Sequence, residues 1–289
     1  MSDSVARAAA FNNTVRAFAV DIKETLTDAM GYHKLNPLAA TALGRALAAV
    51  AMMREMAKGQ NETVTLRINS DGPMGGLIAV GTVDGTLKGY VTNNDYTSYG
   101  DDAAFGVGPC LTPGIMTIIR DLGLKEPYSG TIPLQSGEIG DDLAYYYTYS
   151  EQIPSLVALG VKLNKDGTVF SASGMIIQMM PGADSGTAAS IEGRLREAGS
   201  ASKLIDKTKN PEEMLRFMLA EGNPVITDTK KVAYKCGCSR NDMLKGVLSL
   251  GRDELNKIIE EQDVVETVCH FCEKRYKFRS NELKAVMTG

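Results

Sequence analysis

Histidine is almost missing from this chain of 289 residues: only His33 and His270 occur. Two histidines cannot build a multi-histidine metal site, and they leave little room for histidine-based catalysis. Tryptophan is absent. No apolar run is long enough to suggest a membrane span. The longest, Leu38–Met53, is broken by Arg45 and falls short of roughly 18 residues. The first residues carry Asp3 and Arg7 with no apolar stretch of signal-peptide length, so the expected location is the cytoplasm. An excess of positive charge is also missing. Thirty-five acids against thirty-one bases give a net charge of −4, which excludes a generally basic nucleic-acid binder but not a local basic patch. No glycine-rich phosphate loop closes on a Gly-Lys-Ser/Thr end, the glycines at Gly106 and Gly108 lack the third member of a dinucleotide fingerprint, and no Gly-x-Ser-x-Gly elbow occurs. We therefore expect no enzyme, no catalytic residues, no ATP, no specific nucleic acid and no membrane partner.

What is present describes a soluble globular protein. Apolar residues make up 44% and charged residues 23%, and the length suits two domains, or one large domain with an appendage. Residues 1–180 read as one α+β body, mainly an antiparallel sheet with helices packed on it. Asn36–Pro37 is an N-cap followed by proline at the first helical position, with Lys58–Gly59 as the stop. The Ala/Leu/Met-rich helix between them is apolar on most of its circumference and is expected to be buried. Val15–Met30 is compatible with a helix or with an initial strand. Strand patterns follow at Thr63–Ile68, Leu77–Val80 and Lys88–Thr92, punctuated by turns at Asp71–Gly72 and Asp84–Gly85. Leu143–Tyr149 also alternates as a strand. The clearest hairpin joins Val157–Leu163 to Thr168–Met180 through Asn164–Gly167. The acid pairs Asp101–Asp102 and Asp141–Asp142 read as solvated loop residues, and Cys110 as a small buried hydrophobe.

Residues 181–230 read as a helical linker. Asn210, followed by Pro211 and two acids, is a strong helix start, and Gly222 ends that helix; Ile191, Leu195, Met214, Phe217 and Met218 form apolar stripes. Such helices are either packed permanently on the first body or detachable, with faces that can be uncovered. Residues 231–289 form the third piece, a small C-terminal domain with eleven bases against nine acids.

That piece holds four of the five cysteines, Cys236, Cys238, Cys269 and Cys272, as a Cys-x-Cys and a Cys-x-x-Cys separated by thirty residues. Two close thiol pairs suit a tetrahedral four-sulfur zinc site, and a domain this small needs such a staple. Within each pair the cysteines are near neighbours, so each pair can close into a local disulfide. The two states exclude each other. Sulfurs around zinc at about 2.3 Å lie roughly 3.8 Å apart, whereas a disulfide needs about 2.05 Å and removes the thiolate charge that binds the metal. His270 reads as a loop residue.

With these cysteines in place, the whole sequence resembles the heat shock protein 33 family of redox-regulated holdase chaperones. The body contributes Gly89–Asn93, Ser150–Ser155, Val157–Val161 and Gly174–Ala183 to the likeness. The resemblance implies that the reduced protein is a monomer, holds one zinc ion through Cys236, Cys238, Cys269 and Cys272, and is inactive. Hypochlorite, or peroxide with heat, would form Cys236–Cys238 and Cys269–Cys272 disulfides and release zinc. The C-terminal domain and linker would then unfold, and a homodimer would bind unfolding client proteins without ATP until reducing conditions return. Cys110 matches no family motif. Two other readings compete. A zinc-ribbon nucleic-acid binder is suggested by the alternating basic and aromatic run Lys274–Arg279. A thiol–disulfide oxidoreductase would need a thioredoxin-like setting that the residues around Cys269 do not offer.

Overall fold

The computed structural model describes residues 2–57, 59, 62–94 and 106–288. Asp101, Asp102 and Lys58 lie outside the described residues. The chain divides into two compact units, Met1–Tyr234 and Lys235–Gly289.

The first unit is built on two sheets. Its strands are β1 (Ser4–Ala10), β2 (Val15–Asp21), β3 (Thr63–Ser70), β4 (Gly76–Gly81), β5 (Thr86–Val91), β6 (Gly114–Asp121), β7 (Tyr128–Pro133), β8 (Ser155–Leu163), β9 (Val169–Met179), β10 (Val225–Lys231) and β11 (Ala233–Tyr234). One sheet has the order β10-β1-β2-β9-β8 and the other β11-β5-β4-β3-β6-β7. Every pairing is antiparallel except the two-residue parallel bridge of β11 to β5. The α+β class with a mainly antiparallel framework is therefore as the sequence suggests.

The helices of this unit are α1 (Lys23–His33), α2 (Pro37–Met56), α3 (Gly108–Leu111), α4 (Ile139–Tyr145), α5 (Ser185–Ala198), α6 (Ala201–Thr208) and α7 (Pro211–Met218). Helix α2 starts where expected: Asn36 Oδ1 accepts from Ala39 N and proline opens the first turn. It packs against strands of both sheets and is buried from Ala39 to Arg54 with few gaps, which is why its sequence shows no polar face. Gly44 permits the approach; a Cβ there would meet Val161 and Leu26 side chains at 2.7 and 2.8 Å. The 15–30 ambiguity resolves as strand β2 followed by α1, and the Asn164–Gly167 turn closes the β8–β9 hairpin with Gly167 at φ 83°.

Three sequence expectations need correction. Leu143–Tyr149 is not a strand: α4 runs directly into a π-helical turn, Tyr146–Ser150. Acids at Asp141 and Asp142 favour a helix start through the dipole, and the β-preference of tyrosine yields to a helical turn in which both Tyr146 and Tyr147 are buried. Asp142 is not solvated like its exposed neighbour Asp141. It is fully buried and accepts hydrogen bonds from the amides of Gln135 and Ser136 at 2.6 and 3.2 Å, and burial pushes its carboxyl above the usual range. Finally, 181–230 is not helical to its end. After a 3₁₀ turn at Ala220–Gly222, β10 joins the sheet edge beside β1 with nearly every side chain exposed. Strands β1, β6 and β7 also form without having been anticipated.

Helices α5–α7 begin at Asp184, Ser200 and Asn210, each accepting a backbone N–H as an N-cap. They cover the outer face of the five-stranded sheet. That face is paved with Ala6, Ala8, Ala17 and Ala19, against which Ile191, Leu204, Ile205, Met214, Leu215 and Met218 are buried. Small residues on the strands let large ones on the helices sit close.

Candidate metal centre

The second unit contains α8 (Arg240–Leu248), α9 (Arg252–Glu261), a hairpin of β12 (Val264–Val268) with β13 (Arg275–Arg279), and α10 (Ser280–Thr288). Its apolar core is thin: Val247, Leu255, Ile259, Val265, Tyr276, Phe278 and Leu283, with Cys269 among them.

The cysteines sit on two tight backbone features. Cys236 and Cys238 immediately precede α8, whose start is fixed by a capping box between Ser239 and Asp242. Cys269 and Cys272 occupy the turn of the β12–β13 hairpin. There Cys269 N bonds to Lys274 O at 3.0 Å, the Cys272 and Glu273 amides both donate to Cys269 O, and Glu273 adopts φ 57°. The turn aims both sulfurs inward while exposing His270. All four sulfurs lie within 4.8 Å of one another, and His270 is not part of the group. Two close approaches run between the pairs: Cys236 Sγ to Cys269 Sγ at 3.6 Å and Cys238 Sγ to Cys272 Sγ at 3.5 Å. These separations match the roughly 3.8 Å edge of a sulfur tetrahedron around zinc and exceed the about 2.05 Å of a disulfide. The donor set fits one soft or borderline divalent ion, and the sequence brings all four predicted residues to it.

Burial pushes the Cys236 thiol up to about 12 and raises that of Cys272. Burial also acts on Cys238, but the hydroxyl of Tyr276, 3.2 Å from its sulfur, and the surrounding thiols outweigh it and bring the thiol down to about 7. Tyr276 is the site residue that sequence reasoning missed; its signal was one position in the alternating run Lys274–Arg279.

That run forms β13 as expected, with consequences for the nucleic-acid reading. Tyr276 and Phe278 are buried, so no aromatic platform for bases is exposed there. Arg275 and Lys277 pair with Glu266 across the hairpin, and the Arg240 guanidinium lies 4.4 Å from the centre of the Phe278 ring. Cys110, in the first unit, is buried at the end of α3 and far in sequence from this group. No helix among the described residues is long and apolar enough to cross a membrane.

Comparison with known proteins agrees with this geometry. The family model described as Hsp33 protein matches residues 3–279. The 33 kDa chaperonins of Thermoanaerobacter sp. (strain X514) and Geobacillus kaustophilus (strain HTA426) are each 40% identical over 289 residues. They cover 99% and 98% of this chain, and the alignments span 98% and 97% of those proteins. The crystal structure of the 33 kDa chaperonin (heat shock protein 33 homolog) from Thermotoga maritima superposes with a TM-score of 0.89 at 32% identity, covering 100% of this chain and 98% of that one. A likeness that runs from the first strand through the cysteine hairpin, in sequence and in fold alike, means that the chain belongs to the Hsp33 family of chaperones.

Proposed function

We propose that this protein is a redox-regulated, ATP-independent holdase of the cytoplasm. In this reading it is inactive while its four thiolates hold zinc, and it binds unfolding proteins once they are oxidised. The observation that carries the reading is the group of four sulfurs within 4.8 Å in a unit of fewer than sixty residues with a thin core.

Cys236, Cys238, Cys269 and Cys272 would hold the ion. When bound, zinc supplies a clasp between the loop before α8 and the hairpin turn, and in zinc-finger peptides such a clasp is worth about 10–16 kcal/mol of folding free energy. Oxidation acts on the sulfurs. Two thiolates of a pair give up two electrons to form one disulfide, and a peroxide accepts them to give two hydroxide ions. The assigned bonds are Cys236–Cys238 and Cys269–Cys272. Either bond draws two sulfurs out of the tetrahedral spacing and removes two negative charges, so the group can no longer retain a cation.

The chain beyond the switch is suited to follow. Strand β10 leads through β11 to Cys236 and is fixed to β1 by backbone pairing, with Ile226 half-buried and Lys230 paired to Glu55, while most of its other side chains are exposed. Release of β10 and α5–α7 would uncover Met214, Met218 and the alanine-paved sheet. Methionine-rich, flexible apolar surface suits clients of varied shape. Oxidised chains would associate as homodimers.

The test compares zinc content and suppression of aggregation of a heat-denatured client before and after oxidation, without ATP. Zinc loss accompanied by suppression is expected. The reading fails if the oxidised, zinc-free protein leaves aggregation unchanged.

A further inference from the structure

In the first unit, a cavity of about 390 Å³ opens where the end of α2 meets the ends of β2, β3 and β6 and the π-helical turn. Its size falls within the about 300–1,000 Å³ range of small-molecule sites. Met53, Met56, Val64 and Ile118 give it apolar walls. Two charged groups are then left over.

The first is Arg16. It stands opposite Gln178 in the β2–β9 register, and its Nε donates to Gln178 Oε1 at 2.8 Å. Gln178 is fully buried and anchored in turn to Ser155 Oγ at 3.0 Å, so the guanidinium plane is held in place. Among the described residues Arg16 has no carboxylate partner, although burial already disfavours its charge. The neighbouring Arg120 is not available to balance the site: its Nε and Nη2 are both spent on Glu62, which is 2% exposed and also accepts from Gly59 N.

The second is Glu151. Its Oε1 accepts from the hydroxyls of Tyr146 at 2.5 Å and Tyr128 at 3.4 Å; among the described residues its Oε2 has no donor and no cation pairs with it. Arg16 and Glu151 line the same cavity but form no ion pair with each other. A half-buried cation and anion that line one cavity without meeting leave both charges open to a ligand that carries the opposite pair. The π-helical turn that brings Tyr146, Tyr147 and Glu151 to this wall is a rare geometry frequent at functional sites.

We propose that this cavity binds a small zwitterion with an apolar body, the chemistry of a free apolar α-amino acid. Its carboxylate lies on the open edge of Arg16, its ammonium on Glu151 Oε2, and its hydrocarbon against Met53, Met56 and Ile118. A simple monoanion would leave Glu151 unmet and add a like charge beside it; a simple cation would do the same to Arg16. The site uses none of the cysteines, so its test is independent of the redox reading.

The experiment titrates the reduced full-length protein calorimetrically with L-leucine, with isocaproate, which lacks the ammonium, and with isoamylamine, which lacks the carboxylate. Leucine is expected to saturate and to raise the melting temperature, with each truncated compound weaker by about tenfold or more. Arg16→Gln should erase the preference over isoamylamine, and Glu151→Gln the preference over isocaproate, in variants whose circular dichroism matches the parent. The proposal is overturned if the three compounds bind alike, or if leucine does not saturate by about 50 mM, which corresponds to negligible affinity. If either variant fails to fold, the comparison of the three compounds on the parent protein still decides.

Discussion

Removing the metal by chelation at neutral pH, with the cysteines kept reduced, should unfold the second unit and leave the sheets of the first intact. The magnitude follows from what else ties the two cysteine loops together. In the described structure these ties are the thin core around Phe278, the hydrogen bond that Tyr276 gives to Cys238 O at 3.0 Å, and the pairing of Arg240 with Glu282 at the surface. Exposed ion pairs contribute little against solvent and salt. The metal term, about 10–16 kcal/mol in zinc-finger peptides, equals or exceeds the about 5–15 kcal/mol net stability of an ordinary domain. Four neighbouring thiols without a cation also cannot ionise together, so the empty cluster lacks the charge that organised it. Hydrogen exchange read by mass spectrometry is the assay. Amides of Val264–Val268 and Arg275–Arg279 should lose protection once the cysteine cluster is metal-free, while those of Val15–Asp21 and Val169–Met179 keep theirs. Persistent protection of the β12–β13 hairpin in a sample shown to be metal-free would refute the reasoning, because the core alone would then be sufficient.

Two further perturbations address the first unit. Met214→Ala opens a void in the layer between α7 and the alanine-paved sheet, where Met214 is fully buried, and should cost about 2–5 kcal/mol. Loss of exchange protection confined to α5–α7, with more binding of a hydrophobic dye in the reduced state, is expected; uniform destabilisation of both sheets would contradict the assignment of these helices as a separable layer. Asp142→Asn tests the buried carboxyl. Because burial raises the folded value of Asp142, its contribution to stability is fully present below its ordinary value of 3.8 and is lost as pH rises through the raised folded value. Denaturation curves should therefore show wild type gaining on Asp142→Asn as the solution is acidified, and a difference that grows with rising pH would oppose the argument.

Much of the local structure was legible because its cause is local. The N-caps at Asn36 and Asn210, the Asn164–Gly167 turn and the all-apolar circumference of α2 each depend on a few adjacent residues. The failures have a common origin. Leu143–Tyr149 carries a strand-like alternation, yet it forms α4 and a π turn in which both Tyr146 and Tyr147 are buried. Strand β10 is apolar only at Val225 and Ile226 and polar from Thr227 to Lys231, too short an apolar signal to mark a strand before β1 is there to pair with it. Asp142 looks like any loop acid until the amides of Gln135 and Ser136 are brought onto it.

By itself, the order of residues determined that four sulfurs would be available as two close pairs, that histidine could not replace them, and that a chain of this composition would fold as α+β. Those properties follow from residue type and short spacing. Tertiary structure alone decided that Tyr276 would turn its hydroxyl toward Cys238, that β10 would close a sheet edge, and that Arg16 and Glu151 would face one cavity from strands and turns more than a hundred residues apart. Such meetings depend on which surfaces are buried against each other, and no periodicity or spacing along the chain encodes them.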